Sequence, residues 1–401
     1  MLILGTSVRN EGLYILEWIT YYKLLGVDKI IIYSNDNDDG SDELLGTLDK
    51  HNYIEWRPRT LKANESPQKK AFAELTNELL TLLTPQNNNQ DKGSHYLALL
   101  DCDEFLSIKD RNISTIKELL EHYSWPDGLS INWRHFGSSN QDKYKRESTI
   151  KRFTKCSGKG FRLDQQIKTI TKLNANVFEK IGHHTPRPFD TSQAKVIYAE
   201  DSAQPQRVAK DILNGETTAV KADGSPIFHE FCQLNHYAIR SRQEYMQKQI
   251  RGNGFDSGNK NNYNEGYWRL RDKNEDLDKS LLVKHGETLE KMISGYEEDI
   301  LKCHRRIVER FEESSSKLFS ENLSDPNQKR DDSPQRPREQ VLNTQAINKK
   351  DVDMIRTAAL TLEETDIEKA LKLMKIALKL RPSGQFIKGK IEEYEALIAN
   401  H

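Results

Sequence analysis

What the chain lacks narrows the field first. Cysteine is scarce, 4 in 401 residues, at Cys102, Cys156, Cys232 and Cys303, with no Cys-x-x-Cys spacing. That excludes a zinc ribbon and a small disulfide framework, and it fits reduced thiols in a reducing compartment. Nowhere do about 18 apolar residues run without interruption, so no membrane-spanning helix is predicted. Met1 to Ser7 has no basic segment ahead of its short apolar run and does not read as a signal peptide. A cytoplasmic protein is expected, with any membrane association peripheral at the inner face. Net charge is nearly absent, 60 Lys+Arg against 61 Asp+Glu for -1, which removes the overall electrostatic footprint of a nucleic-acid binder. A Gly-rich phosphate loop is missing as well. Only Gly5 and Gly12 flank the first apolar run, where a sugar nucleotidyltransferase would want such a loop with a basic residue.

What is present is length and alternation. At roughly 150 residues per domain the chain suggests two or three folding units. Leu2–Val8, Lys29–Tyr33, Tyr53–Arg57 and Tyr96–Leu100 are short β-leaning runs, and between them Glu11–Leu25, a segment from Ser41 and Pro67–Leu83 carry helical signals. Strand and helix alternating with crossovers of this length predict an α/β fold on a mostly parallel sheet. Beyond Asp127 the pattern shortens to β-like pieces, Leu129–Phe136, Ile150–Thr154, Ile167–Leu173 and Ile227–Asn235, which predict an attached mixed sheet. Residues 312–345 are rich in Ser, Asn, Gln and Pro and read as a flexible polar linker. Apolar residues then return at helical spacing on either side of Pro382-Ser383-Gly384, so a small helical hairpin is expected over 346–401.

The sharpest chemical feature is Leu99-Leu100-Asp101-Cys102-Asp103-Glu104-Phe105. In open parallel sheets ligands bind at the carboxyl ends of strands, and three carboxylates stand at the end of one here. In extended backbone Asp101 and Asp103 point to one side. Two hard oxygen donors with open positions suit Mg²⁺ or Mn²⁺ on a diphosphate, although the same residues also make an ordinary acidic turn. A second acidic run, Ser34-Asn35-Asp36-Asn37-Asp38-Asp39-Gly40, fails as a calcium loop because Gly46 falls where the bidentate Glu belongs. At a strand end Asp36 would instead accept hydrogen bonds from a base or ribose, and its neighbours also suit a solvated turn.

Taken in order, Ser7-Val8-Arg9-Asn10-Glu11-Gly12, Glu17-Trp18-Ile19-Thr20-Tyr21-Tyr22, Ser34-Asn35-Asp36 with Asp39-Gly40-Ser41, and Leu100-Asp101-Cys102-Asp103-Glu104-Phe105 resemble the family 2-like and family 92 glycosyltransferases. The likeness continues through Trp133-Arg134-His135-Phe136-Gly137 and Asn235-His236-Tyr237 to Lys248 and Arg251, and covers about residues 1–310. It implies a GT-A fold over 1–311 and transfer of a sugar from a nucleotide diphosphate sugar to a glycan acceptor, a surface polysaccharide or lipid-linked saccharide, with inversion. It also implies Asp101, Asp103 and His236 as ligands of Mn²⁺ or Mg²⁺. The candidate donor-binding residues are Ser7, Arg9, Asn10, Glu11, Asp36, Asp101, Lys168 and Arg251.

Inversion requires a carboxylate to take the acceptor proton. Glu104 is the nearest candidate, with Asp272 a weaker one, and Glu104 equally suits a supporting role beside the metal pair. Between Lys143 and Lys172 ten basic residues face only Glu147 and Asp164. This stretch suits the donor diphosphate or an anionic acceptor, and it equally suits a solvated face; Lys168 stands out because it begins an alternating strand. His183-His184, being adjacent in sequence, do not converge on one point. The C-terminal hairpin resembles a single tetratricopeptide unit, which buries its face against another surface or a protein partner. The alternative to an enzyme is a non-catalytic nucleotide-sugar-binding scaffold that recruits partners through this tail.

Overall fold

The structure is a computed structural model and describes residues 1–60, 65–84, 94–213, 226–251, 263–323, 355, 359–360, 362–363, 366–380 and 385–399. The chain divides into two compact units, Met1–Gln328 and Lys329–His401.

The first unit opens with strand–helix alternation: β1 (Leu2–Val8), α1 (Gly12–Leu24), β2 (Lys29–Asn35), α2 (Ser41–Lys50), β3 (Glu55–Arg59), α3 (Pro67–Leu83) and β4 (Tyr96–Leu99). β5 (Glu104–Ile108), α4 (Ile116–His122), β6 (Gly128–His135), α5 (Thr149–Arg152), β7 (Lys155–Cys156), β8 (Ile167–Lys172), β9 (Phe178–Ile181), β10 (Pro186–Pro188), β11 (Val196–Tyr198) and α6 (Lys210–Leu213) follow. The unit closes with β12 (Cys232–His236), α7 (Arg242–Arg251), α8 (Glu265–Arg271), β13 (Asp276–Leu277), α9 (Ser280–Ser294) and α10 (Glu298–Leu323).

Nine strands form one sheet in the order β3-β2-β1-β4-β8-β6-β12-β5, with β11 paired to β6. β3, β2, β1 and β4 are mutually parallel, as the alternation predicts. The later strands attach to that sheet as a mixed extension, as expected, with antiparallel β8 bridging β4 and β6. Two further strand pairs, β9–β10 and β7–β13, stand apart.

Period-2 alternation puts both faces of the parallel strands into core. Leu2, Leu4, Ile30, Ile32, Tyr96 and Ala98 join the cluster under α1, while Ile3, Ile31, Tyr33, Leu97 and Leu99 join the one under α3. A sheet covered on both faces reads as continuous apolar sequence, which is how these strands appear. All four cysteines are free and buried. No helix among the described residues is long and apolar enough to cross a membrane.

Two expectations need correction. Ile150–Thr154 was expected as a strand, and the backbone there turns into α5, because the buried Glu17 carboxylate of α1 accepts the amides of Thr149 (2.8 Å) and Ile150 (3.3 Å) and caps a helical turn. The polar stretch from 312 is helical as far as Leu323; its remainder to 345 lies outside the described residues. In the second unit, α11 (Ile367–Leu380) and α12 (Gln385–Ala399) pack around Ala370, Met374, Ala377, Ile387, Ile391 and Tyr394. The Pro382-Ser383-Gly384 break between them lies outside the described residues.

Candidate active site

The acidic turn is placed by what flanks it. β4 ends at Leu99 in the middle of the sheet, and β5 begins at Glu104 on its far edge, antiparallel to β12 with Glu104 opposite His236. Leu100–Asp103 is therefore the bridge between sheet centre and edge, and the register sets Asp103 beside the end of β12. The Asp103 carbonyl accepts the Tyr237 amide (2.8 Å), and the Asp101 carbonyl accepts that of Glu104 (3.0 Å). α1 holds β5 from below: Trp18 Nε1 donates to the Glu104 carbonyl (3.1 Å), Tyr22 Oη to the same oxygen (3.0 Å), and Tyr21 Oη to the Leu106 carbonyl (2.5 Å).

A cavity of about 220 Å³ opens at these strand ends, lined by Ser7 at the end of β1, Arg9 and Glu11 after it, Asn35 closing β2, Gln68 on α3, Asp101 and Asp103, Trp133, His236, Lys248, Arg251, Tyr263 and Tyr267. Asp101 is fully engaged. Its Oδ1 accepts from Gln68 Nε2 (2.5 Å), and its Oδ2 lies 3.0 Å from Lys168 Nζ and 3.3 Å from His183 Nε2. Asp103 Oδ2 accepts from Lys248 Nζ (3.1 Å), and its Oδ1 stands 3.6 Å from His236 Nε2. Burial raises the pKa of both aspartates. Lys168 with His183 outweighs it at Asp101, and Lys248 with His236 at Asp103, so both carboxyls lie below the usual carboxylate range. Burial pushes His236 down to about 3 against the pull of Asp103, which leaves its imidazole neutral, the form that binds metal.

The metal fit is partial. Among the described residues no group of three or more His, Cys, Asp or Glu could hold a metal ion, so the three ligands implied by the resemblance do not converge. Both Asp101 oxygens already carry donors, which takes that residue out. Asp103 Oδ1 and His236 Nε2 do fit: donors 3.6 Å apart are bridgeable by an ion that reaches each at about 2.1 Å. Two protein donors plus phosphate and water is the usual holding of a divalent ion on a diphosphate.

The β1 and β2 loops share this rim. Asn10 and Asp36, at their turns, have φ of 52° and 49°, the left-handed region that Asn and Asp tolerate best. The Asn10 amide donates to Asn37 Oδ1 (2.6 Å) and its Nδ2 to Asp38 Oδ1 (2.6 Å), while Asp38 N donates back to Asn10 Oδ1 (2.9 Å). One asparagine thus zips the two loops together.

The sequence profile of glycosyltransferase family 92 matches residues 8–208 of this chain. The chain belongs to that family. A family 92 glycosyltransferase protein of Oryza sativa subsp. japonica is 24% identical over 236 residues, which are 54% of this chain and 36% of that protein. One of Ricinus communis is 42% identical over 48 residues, 12% of this chain and 8% of its own. The matched stretch thus spans about a third of the first relative's length and less of the second. Among solved structures, a fragment of S. aureus TarS covering residues 1–349 overlays at TM-score 0.31 with 9% identity, across 98% of this chain and 88% of its own. A second TarS structure gives 0.25 and 10%, across 43% and 28%. These overlaps are too slight to speak to fold or function.

The family 92 match takes in the β1 loop and Asp101–Asp103, whereas His236, Lys248 and Arg251 lie beyond it. Ser7, Arg9, Glu11, Asp101, Asp103, His236 and Arg251 all line the cavity. Four others do not. Asn10 spends its polar atoms on the loop zip. Asp36 is exposed, and the buried Asn35 lines the cavity in its place. Lys168 is 2% exposed and lies beneath Asp101, so it positions that carboxylate instead of meeting a ligand. Glu104, the candidate base, is 0% exposed. Its Oε2 accepts the Asp101 amide (2.8 Å) and lies 3.4 Å from Lys168 Nζ, closed off from an acceptor hydroxyl.

Asp272 is likewise structural, its Oδ1 accepting from the Ser138 amide (2.8 Å) and Asn274 Nδ2 (2.7 Å). The basic stretch divides into surface ion pairs such as Arg146–Glu312 and Lys151–Glu147 and buried ones at Arg152–Glu244 and Lys168–Asp101, with none of its members lining the cavity. His183 reaches Asp101, while His184 turns to the Ile167 carbonyl (2.9 Å). Sequence reasoning assigned no role to Gln68, Tyr263 or Tyr267. Lys248 carries a legible signal, since its place three residues before Arg251 puts both on one helix face.

Proposed function

We propose that the chain transfers a sugar from a nucleoside diphosphate sugar to a glycan acceptor, with inversion, and with Mn²⁺ or Mg²⁺ held by Asp103 and His236. The carrying observation is the cavity at the carboxyl ends of β1, β2 and β4, where cationic and carboxylate side chains meet over a parallel sheet. Family membership gives the same reaction class.

In this reading Ser7, Val8 and Asn35 receive the nucleoside at the β1 and β2 ends, and Lys248 and Arg251 receive the diphosphate. Arg251 is fixed for this by the Glu11 carboxylate and by the Arg9 carbonyl (2.9 Å). Lys248 is fixed by Asp103 and the Ala238 carbonyl (2.8 Å). Charge-assisted donors held in place before the donor arrives supply the electrostatic preorganisation that departure of a diphosphate needs. A bound divalent ion adds neutralisation of the leaving group's charge. Trp133, Tyr263 and Tyr267 supply flat apolar walls for sugar rings. The acceptor hydroxyl attacks the anomeric carbon from the face opposite the diphosphate as the bond to that leaving group breaks and the hydroxyl proton passes to water in the cavity, so inversion needs no covalent enzyme intermediate.

The test is thermal shift with UDP, GDP and dTDP sugars, with and without Mn²⁺. One nucleotide should raise the melting temperature only when metal is present, and Asp103→Asn should abolish that shift, measured against the variant's own ligand-free melting temperature, which falls because buried Lys248 loses its partner. A shift that survives Asp103→Asn, or none with any nucleotide, contradicts the proposal.

A further inference from the structure

A second cavity, of about 360 Å³, shares Arg9, Lys248 and Arg251 with the donor cavity as a common wall. Its remaining lining includes Tyr14 of α1, Arg240, and Arg310 and Phe311 of α10. Nothing in the proposed transfer uses this space.

Arg240 is the unusual member. It is 4% exposed, and its guanidinium lies over the Tyr14 ring at 3.5 Å from the centroid. Its nearest carboxylate oxygen, Glu11 Oε2, is 3.9 Å from Nη1, beyond hydrogen-bond distance. Nε and Nη2 have no hydrogen-bond partner among the described residues. Buried donors left unpaired are costly, and a guanidinium carries a full charge besides. Arg9 adds a second buried, unpartnered Nε, and among the described residues neither Arg9 nor Arg310 forms a side-chain ion pair.

Of the nearby carboxylates, Asp38, Asp39 and Glu244 are already hydrogen-bonded elsewhere, and Glu11 Oε2, itself without a hydrogen-bond partner among the described residues, stops 3.9 Å from Arg240. Asp38 accepts from Asn10 Nδ2 (2.6 Å), and Asp39 accepts the amides of Gly12 (3.0 Å) and Ser41 (2.8 Å). Glu244 is taken by Arg152 (3.0 Å) and by Tyr14 Oη (3.1 Å). Three guanidinium groups with unspent donors therefore line one space beside an aromatic ring.

We infer that this cavity is a second binding site, separate from the donor site, for a phosphoryl group, held by the guanidinium groups of Arg240, Arg9 and Arg310. Planar guanidinium forks match phosphate oxygens in pairs, and Phe311 offers a surface for the body of the ligand. Two sources share that chemistry, free inorganic phosphate and a phosphorylated sugar. The inference stands independently of the proposed transfer, since the unpaired arginines are there whether or not a nucleotide binds next door.

The experiment is calorimetric titration of the full chain with inorganic phosphate and, separately, with glucose 6-phosphate, each with and without saturating UDP and Mn²⁺. At least one probe should bind with UDP present, and Arg310→Glu and Arg240→Gln should each weaken it by about tenfold or more. UDP affinity in Arg310→Glu should stay within about twofold of wild type. Arg310 is exposed on α10, so its variant decides the matter should Arg240→Gln fail to fold. Tighter binding of the sugar phosphate supports the site and names a phosphorylated carbohydrate; equal binding supports it and names free phosphate. Competition with UDP for a single site, equal binding by Arg310→Glu and wild type, or no heat with either probe overturns the inference.

Discussion

Glu104 shows how a residue in the right motif can hold the wrong post. It follows Asp103 directly, yet strand alternation turns it into the sheet, where burial, only partly opposed by Lys168, pushes its carboxyl pKa up. A glutamine there keeps the acceptor for the Asp101 amide. Glu104→Gln should therefore retain activity within about tenfold and leave the shape of the pH–rate profile unchanged, whereas loss of a general base costs about 10²–10⁴. Steady-state rates between pH 5.5 and 9 check this, and the loss of the basic-side limb would contradict it.

A second residue-scale prediction concerns His285, buried against Tyr21 with its Nε2 unpartnered. Burial, with Lys284 adding, pushes its pKa down to about 4. Below pH 6.5 the unfolded chain takes up a proton that the folded chain refuses until about pH 4. This residue's contribution therefore falls with pH across that window, by up to about 1.4 kcal/mol per unit, and levels off beneath it. Urea midpoints of His285→Gln should decline less steeply from pH 6.5 to 5 than those of wild type. Parallel slopes would contradict the assignment.

At the scale of elements, the decisive contact is α1 on β5. Tyr22 Oη donates to the Glu104 carbonyl and accepts the Leu106 amide (3.2 Å), so it satisfies both polar groups of a strand at the sheet's edge. Tyr22→Phe removes one atom and strands the buried Leu106 amide, the Glu104 carbonyl keeping Trp18 Nε1, at a cost of about 1–3 kcal/mol. The bridge between β4 and β5 should loosen with it, and chemical denaturation together with amide exchange at Asp103–Leu106 checks both effects. A change under about 0.5 kcal/mol with unchanged exchange would show that α1 does not hold the turn.

β1, α1, β2, α3 and β4 were legible because buried parallel strands and amphipathic helices print their periods directly. β5 was not, since Glu104 to Ile108 reads as the tail of a motif and its partner β12 lies over a hundred residues later. The false strand at Ile150–Thr154 has a similar origin. Its cap, Glu17, sits on another helix, and no local pattern announces it.

For the whole molecule, the site is assembled from distant segments: loops after β1 and β2, the β4–β5 turn, the end of β12 and one face of α7. Composition and motif could name Asp101 and Asp103, but only the sheet order reveals that they play different parts. Asp101 is locked by Gln68, Lys168 and His183, while Asp103 faces His236 with one oxygen free of hydrogen bonds among the described residues. Lys248 and Arg251 then join from a helix near residue 250, which brings cations to a turn that sequence alone presents as purely acidic.

The most direct measurement is anomalous diffraction at the manganese edge from crystals grown with Mn²⁺ and UDP. A single strong peak between Asp103 Oδ1 and His236 Nε2, with the diphosphate against Lys248 and Arg251, is the result the account predicts. UDP bound in the cavity with no metal between those two atoms, or bound elsewhere on the chain, would contradict it.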